Sequence, residues 1–230
     1  MGLFVISDLH LSLGVDKPMD MFGEQWINHH EKIKKEWITS IKNDDTVLIA
    51  GDISWAMNIN EAMIDLEWIN ELAGKKILLR GNHDYWWSSV TKMNTFFEKM
   101  KFLQNNYFAY KNFAICGTRG WICPNETKFT QQDQKIYERE LHRLQLSLNH
   151  AMKDGYKEHI VMMHYPPTND QLEPSGFTEI YEKYNVKKVV YGHLHGKASF
   201  DGGVKGAYKG IDYYLTSCDY LDFKPLKILD

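Results

Sequence analysis

Two hydrophobic periodicities alternate along this chain. Short apolar runs rich in β-branched residues predict buried strands at Leu3–Ile6, Thr46–Ala50, 76–79, 114–117, 159–163 and 188–191. Between several of them the spacing becomes helical. In 24–42, Trp26, Ile27, Ile33, Trp37, Ile38 and Ile41 recur at helical intervals. In 60–72, Ala62, Met63, Leu66, Ile69 and Leu72 share one face, with Asn60 as the expected cap. Residues 88–100 and 126–153 also read as helix. Alternation of strand and helix predicts an α/β sheet with helices outside it. The last third differs: 198–200, 207–216 and 225–229 read as short strands joined by Gly-containing turns, an antiparallel pattern. Two sheets face to face with helices on both sides make a four-layer αββα sandwich. No repeat, low-complexity linker or charge block marks a boundary, so residues 1–230 are expected to form a single domain.

Polar residues gather where the apolar runs end. Asp8-Leu9-His10 follows the first, Gly51-Asp52 the second and Gly81-Asn82-His83-Asp84 the third. His164-Tyr165-Pro166-Pro167 follows the fifth and Gly192-His193-Leu194-His195 the sixth. In open α/β sheets, ligands bind beyond the carboxyl ends of the strands. Asp, His and Asn side chains converging there are costly to bury without partners. Imidazole and carboxylate together suit divalent Zn, Mn or Fe. In Asp8-x-His10 and His193-x-His195 the period-two alternation of extended chain sends both side chains to one side. A lone Gly-Asp is usually a turn, and a lone His at a strand end is usually a loop residue; the order of all five pieces carries the signal.

Composition narrows the classes. A formal net charge of -3 excludes a strongly basic nucleic-acid coat, which disfavours a nucleic-acid partner. Seven Trp, 13 Tyr and 11 Phe argue against disorder. No run approaches the roughly 18–20 apolar residues that span a bilayer, and no basic n-region precedes the first strand, so no membrane partner is expected. Three scattered cysteines, Cys116, Cys123 and Cys218, fit a reducing cytoplasm and pack as small hydrophobes. The sequon Asn125-Glu126-Thr127 has no meaning without secretion. The G-x-S-x-G elbow, the P-loop and H-E-x-x-H are all missing.

The series Asp8-x-His10, Gly51-Asp52, Gly81-Asn82-His83-Asp84, His164 and Gly192-His193-x-His195 resembles the signature of the calcineurin-like metallophosphoesterases, with every position filled. The resemblance spans residues 8 to 195. It implies the four-layer α/β sandwich with its site at the carboxyl edge of the sheets. It implies two divalent transition metals (Mn, Fe or Zn), one on Asp8, His10, Asp52 and His195, the other on Asp52, Asn82, His164 and His193. Asp52 bridges them in that scheme, His83 is the proton donor and Asp84 orients it. The implied activity is hydrolysis of phosphate mono- or diesters. Two alternatives stand beside it: a catalytically silent scaffold of the same fold, and a nuclease of the same fold.

Several residues outside the signature have two readings. Arg119, after a strand-like run, suits bidentate phosphate contact or an ion pair. Tyr85-Trp86-Trp87 suits stacking on an aromatic group or, more simply, core packing. His29 and His30 are expected to be solvated. Residues 12–23 form a long connection that gates the site or merely varies at the surface.

Overall fold

A computed structural model describes residues 1–125 and 129–230. The chain divides into two compact units: Met1–Phe102 with Thr216–Asp230, and Leu103–Leu215.

The first unit holds a sheet of five strands: β1 (Leu3–Ile6), β2 (Thr46–Ala50), β3 (Lys75–Leu79), β4 (Met100–Leu103) and β11 (Leu226–Leu229). Their order across the sheet is β11-β1-β2-β3-β4. β1, β2 and β3 pair in parallel, and β11 runs antiparallel to β1. β1 and β2 are buried along their whole length, as parallel strands covered on both faces must be. Helix α1 (His29–Ser40) contributes Ile33 and Trp37 to the core, and α2 (Ile59–Glu71) contributes Ala62, Leu66 and Ile69. The Trp37 indole N–H donates to the carbonyl of Ala73 at 2.9 Å, fixing α1 to the end of the α2 connection.

The second unit holds a sheet of six strands: β5 (Phe108–Tyr110), β6 (Phe113–Thr118), β7 (Glu158–Met163), β8 (Val186–Tyr191), β9 (Gly206–Tyr208) and β10 (Ile211–Leu215). Their order is β5-β6-β7-β8-β10-β9. The four central strands are parallel, and β5 and β9 are antiparallel edges. Helices α4 (Gln131–Lys153) and α5 (Gly176–Lys183) add Tyr137, Leu144, Leu148, Phe177 and Tyr181 to a second core. Two multi-strand sheets flanked by helices are the mixed α/β architecture the pattern predicts.

Several local expectations change. The helical pattern of 24–42 is broken at Asn28, whose left-handed φ of 51° separates a 3-10 turn at Glu24–Trp26 from α1. The cap of α2 is Asn58, not Asn60: its side chain accepts from the N–H groups of Asn60 and Glu61. Residues 88–100 give only the short α3 (Val90–Met93), and Met100 opens β4 instead. Residues 198–200 are not a strand; a 3-10 turn occupies Phe200–Gly202. The expected C-terminal antiparallel sheet does not exist as a unit. β10 joins β8 in parallel, β9 folds back on β10 through Lys209 and Gly210, both with positive φ, and β11 belongs to the first sheet. The capping box of α4 begins at Thr130, while the expected start at residue 126 and most of the sequon lie outside the described residues.

Candidate metal centre

In the first unit, three motifs leave the carboxyl ends of three adjacent parallel strands, β1, β2 and β3. Backbone hydrogen bonds then lace them together. The N–H of Asp8 donates to the carbonyl of Gly51 at 2.9 Å, and that of His10 donates to the carbonyl of Asp52 at 3.0 Å. Asp8, His10 and Asp52 have φ of 58°, 43° and 50°. Non-glycine residues in this region are uncommon, and the strain clusters at functional sites. The left-handed turns re-aim side chains that would otherwise continue the strand alternation. All three are almost fully buried: Asp8 0%, Asp52 2% and His10 3% exposed. Nε2 of His10 stands 3.8 Å from Oδ2 of Asp52.

Asp52 is held from the other side. Its Oδ1 accepts the backbone N–H of His83 at 2.8 Å, and a β-carbon at Gly81 would fall 2.1 Å from that oxygen. Only glycine lets the third motif come this close. Asp84, fully buried, accepts from four N–H groups: Ile53 at 2.8 Å, Ser54 at 3.2 Å, Gly81 at 2.7 Å and the Trp86 indole at 3.0 Å. Its carboxylate thereby pins the Gly81–His83 turn to the Asp52 turn. Burial pushes its pKa up, the Asp52 charge pushes the same way, and the N–H donors oppose both. His83 and Asn82 remain partly exposed.

The His83 ring lies 4.5 Å from the Trp55 ring, and Trp55 also stacks on His10 at 4.9 Å. The Trp55 indole N–H reaches Sδ of Met19 at 3.1 Å, and Lys17 lies over its ring at 5.4 Å. Residues 12–23 therefore carry packing against this indole. Sequence reasoning missed Trp55. Its place three residues beyond Asp52 was the available signal, since a large aromatic that close to a metal motif packs on whatever the motif displays. His29 departs from expectation too. It is buried, and its ring nitrogens meet the carbonyls of Leu9 at 2.9 Å and Trp26 at 3.2 Å. Burial lowers its pKa. It supports the residue between Asp8 and His10. Trp86 and Trp87 are core residues, and Tyr85 is exposed.

In the second unit, β7 and β8 are adjacent and parallel, and His164 and His193 follow their carboxyl ends. The N–H of Gly192 donates to the carbonyl of His164 at 3.1 Å. The two imidazoles lie 5.1 Å apart, and Tyr165 packs on His193 at 4.1 Å. His193 has φ 71°, the same left-handed backbone found at the first-unit candidates, and His195 is partly exposed. The carbonyl of Arg119, just past β6, accepts from the N–H groups of His164 at 3.1 Å and Tyr165 at 3.0 Å. The Arg119 guanidinium lies over the Trp121 ring at 4.8 Å, with Nη2 4.0 Å from the buried Glu140. Glu140 also meets Arg143 at 2.8 Å and the Thr118 hydroxyl at 2.6 Å.

Carboxylates and imidazoles withdrawn from water at strand ends are the donor set a borderline divalent cation takes. Buried carboxylates need opposite charge nearby, which such an ion supplies. The residues present fit a metal.

Residues 1–197 match the family of calcineurin-like phosphoesterases. The chain belongs to that family. The members of that family are phosphoesterases that use divalent metals. The Gene 66 protein of Mycobacterium phage L5 is 35% identical over 80 residues, which are 34% of this chain and 37% of that protein. The chain thus aligns with little more than a third of the length of that relative. Two solved structures share the fold. A phosphopantetheinyl hydrolase from Mycobacterium tuberculosis has a TM-score of 0.64 at 14% identity, covering 99% of this chain and 95% of its own. A protein of unknown function from Aquifex aeolicus has a TM-score of 0.54 at 17% identity, covering 98% and 95%. Among the described residues, no helix is long and apolar enough to cross a membrane.

Proposed function

We propose that this chain is a metal-dependent hydrolase of phosphate esters and that it works with a dinuclear centre. Asp8, His10, Asp52 and His195 hold one ion, and Asp52, Asn82, His164 and His193 hold the other. The observation that carries this reading is the shared left-handed backbone of Asp8, His10, Asp52 and His193. Four residues of the signature accept the same unfavourable conformation, a cost that ligand geometry explains. When bound, the ions activate water and neutralise phosphate oxygens.

The chain's own groups do the rest. His83 gives a proton to the leaving oxygen. Its backbone is tied to Asp52 and its ring is braced by Trp55, so the donor keeps its place relative to the ligands. Asp84 acts through the turn it pins, as a positioning residue. Arg119 positions His164 through its carbonyl, and its guanidinium, shared between Trp121 and Glu140, reaches phosphate as a secondary contact. The substrates are small phosphate esters, with a lean towards diesters.

Elemental analysis of metal-saturated protein tests the centre. Two ions per chain are expected, and Asp52→Ala should lose both because one carboxylate serves both. One ion or none in the wild type sinks the proposal. A panel of mono- and diesters with Mn²⁺ tests the activity, and no turnover of any ester by the two-metal protein sinks that part.

A further inference from the structure

A cavity of 330 Å³ opens beside His193 within the second unit. That volume lies at the low end for small-molecule sites, roughly 300–1,000 Å³. Tyr165, Ile122, Leu194 and Ala198 give it an apolar wall, and Tyr165 lies against the His193 ring at 4.1 Å. Asn169 and Ser199 in the wall are engaged with the protein itself, whereas Thr168 brings one buried hydroxyl without a hydrogen-bond partner. The Asn169 amide donates to the carbonyl of Pro124 at 3.0 Å and to Glu173 at 2.7 Å, and its oxygen accepts from the N–H groups of Gln171 and Glu173 at 3.1 Å. The Ser199 hydroxyl donates to the carbonyl of His195 at 2.5 Å. No lysine or arginine lines the cavity among the described residues, and Asp170 brings a negative charge to it.

We infer that this cavity takes the organic group of the substrate, and that this group is small, uncharged and largely aliphatic. The inference rests on the proposed function, which puts His193 on a metal and the phosphate beside it. Apolar carbon next to the phosphate position favours the removal of methylenes from water. A second phosphate would meet Asp170 and, among the described residues, no lysine or arginine of the lining, so a polyphosphate or nucleic-acid strand is disfavoured. A cavity of this size holds no folded protein segment, which disfavours phosphoprotein substrates.

The test uses three phosphonates, which are not hydrolysed, titrated calorimetrically into Mn²⁺-loaded protein. n-Butylphosphonate should bind about tenfold or more tighter than methylphosphonate, because three more methylenes leave water. Propane-1,3-bisphosphonate, with a second anion, should lose that gain. Ala198 is exposed, so Ala198→Trp should fold normally, fill the cavity and bring the butyl-to-methyl ratio near one. Ala198→Lys should selectively strengthen the bisphosphonate. Equal binding of the butyl and methyl compounds by wild type overturns the inference. So does a ratio that Ala198→Trp leaves unmoved, or a bisphosphonate that binds tightest to wild type. Those outcomes leave the proposed function standing. Selective binding without turnover of any ester does the opposite: it keeps the cavity as a ligand site and removes the proposed activity. Failure of both monophosphonates to bind overturns both.

Discussion

A β-carbon at position 81 would lie 2.1 Å from Oδ1 of Asp52 and 2.2 Å from its backbone nitrogen. Neither atom can yield without moving a proposed ligand, so Gly81→Ala should weaken metal binding by about 10–100-fold, the usual size of a disturbed ligand orientation. Competition with a chelator measures this, and unchanged far-UV circular dichroism shows the fold survives. His83→Ala should lower kcat by about 10²–10⁴-fold with bound metal unchanged. The loss should shrink for a nitrophenyl ester, whose leaving group needs little protonation. If the mutant sheds metal in step with activity, His83 is a prop and not an acid. Trp55→Leu should copy part of that loss, and Trp55→Phe, which keeps a ring against both imidazoles, should recover most of it. Away from the centre, His159 is buried in β7, with Nδ1 2.6 Å from the carbonyl of Tyr184, and burial lowers its pKa. The unfolded chain therefore binds this proton at higher pH than the folded one. Stability is full above the unfolded value of about 6.5 and falls as pH drops below it, levelling off under the lowered folded value. Urea midpoints across pH 5–8 should show this slope, and His159→Gln should flatten it. The histidines illustrate what the chain discloses residue by residue. The signature positions were legible from their order after strand-like runs. His29 was not, because its partners, the carbonyls of Leu9 and Trp26, are backbone atoms that leave no pattern in the sequence.

Helix α4 is the longest element and begins with a complete capping box, in which the Thr130 hydroxyl accepts from the N–H of Asp133 while the Asp133 carboxylate accepts from Thr130. Thr130→Ala should cost about 1 kcal/mol, within the range for caps. Urea unfolding should show it as a lower midpoint with an unchanged slope. Strand positions were largely legible because parallel strands buried on both faces are continuous apolar runs. Helix limits were less so. Apolar spacing runs unbroken through 24–42, yet the chain turns at Asn28, a residue type that tolerates left-handed backbone. β4 and β5 escaped notice because each is short and each sits at a sheet edge.

For the whole molecule, the two-ion proposal makes stability depend on metal. Ligands that bind only the folded state add RT ln(1 + [L]/Kd), about 2.7 kcal/mol at a hundredfold excess over Kd. Dialysis against a chelator should abolish hydrolysis and lower Tm, and Mn²⁺ should restore both. Residues 1–230 are proposed to act as one domain. Six of the seven tryptophans lie in the first unit, so their fluorescence reports that unit, while circular dichroism reports both. Coincident unfolding curves are expected from the two probes, and separated ones would count against a single domain. By itself the sequence determined the α/β class, the order of the main strands and the residues at their ends, since burial periodicity and donor chemistry are local properties. Tertiary structure alone decided which sheet each strand joins. β11, last in the chain, pairs with β1, the first, and β10 continues a parallel sheet that its neighbour β9 edges in the opposite direction. Pairing is a contact between distant segments, fixed by the fit of whole faces and not by the residues of either strand. The same holds for the centre: the chain supplies Asp52, but the angle of its carboxylate depends on an N–H donated from residue 83 and on the bare glycine at 81.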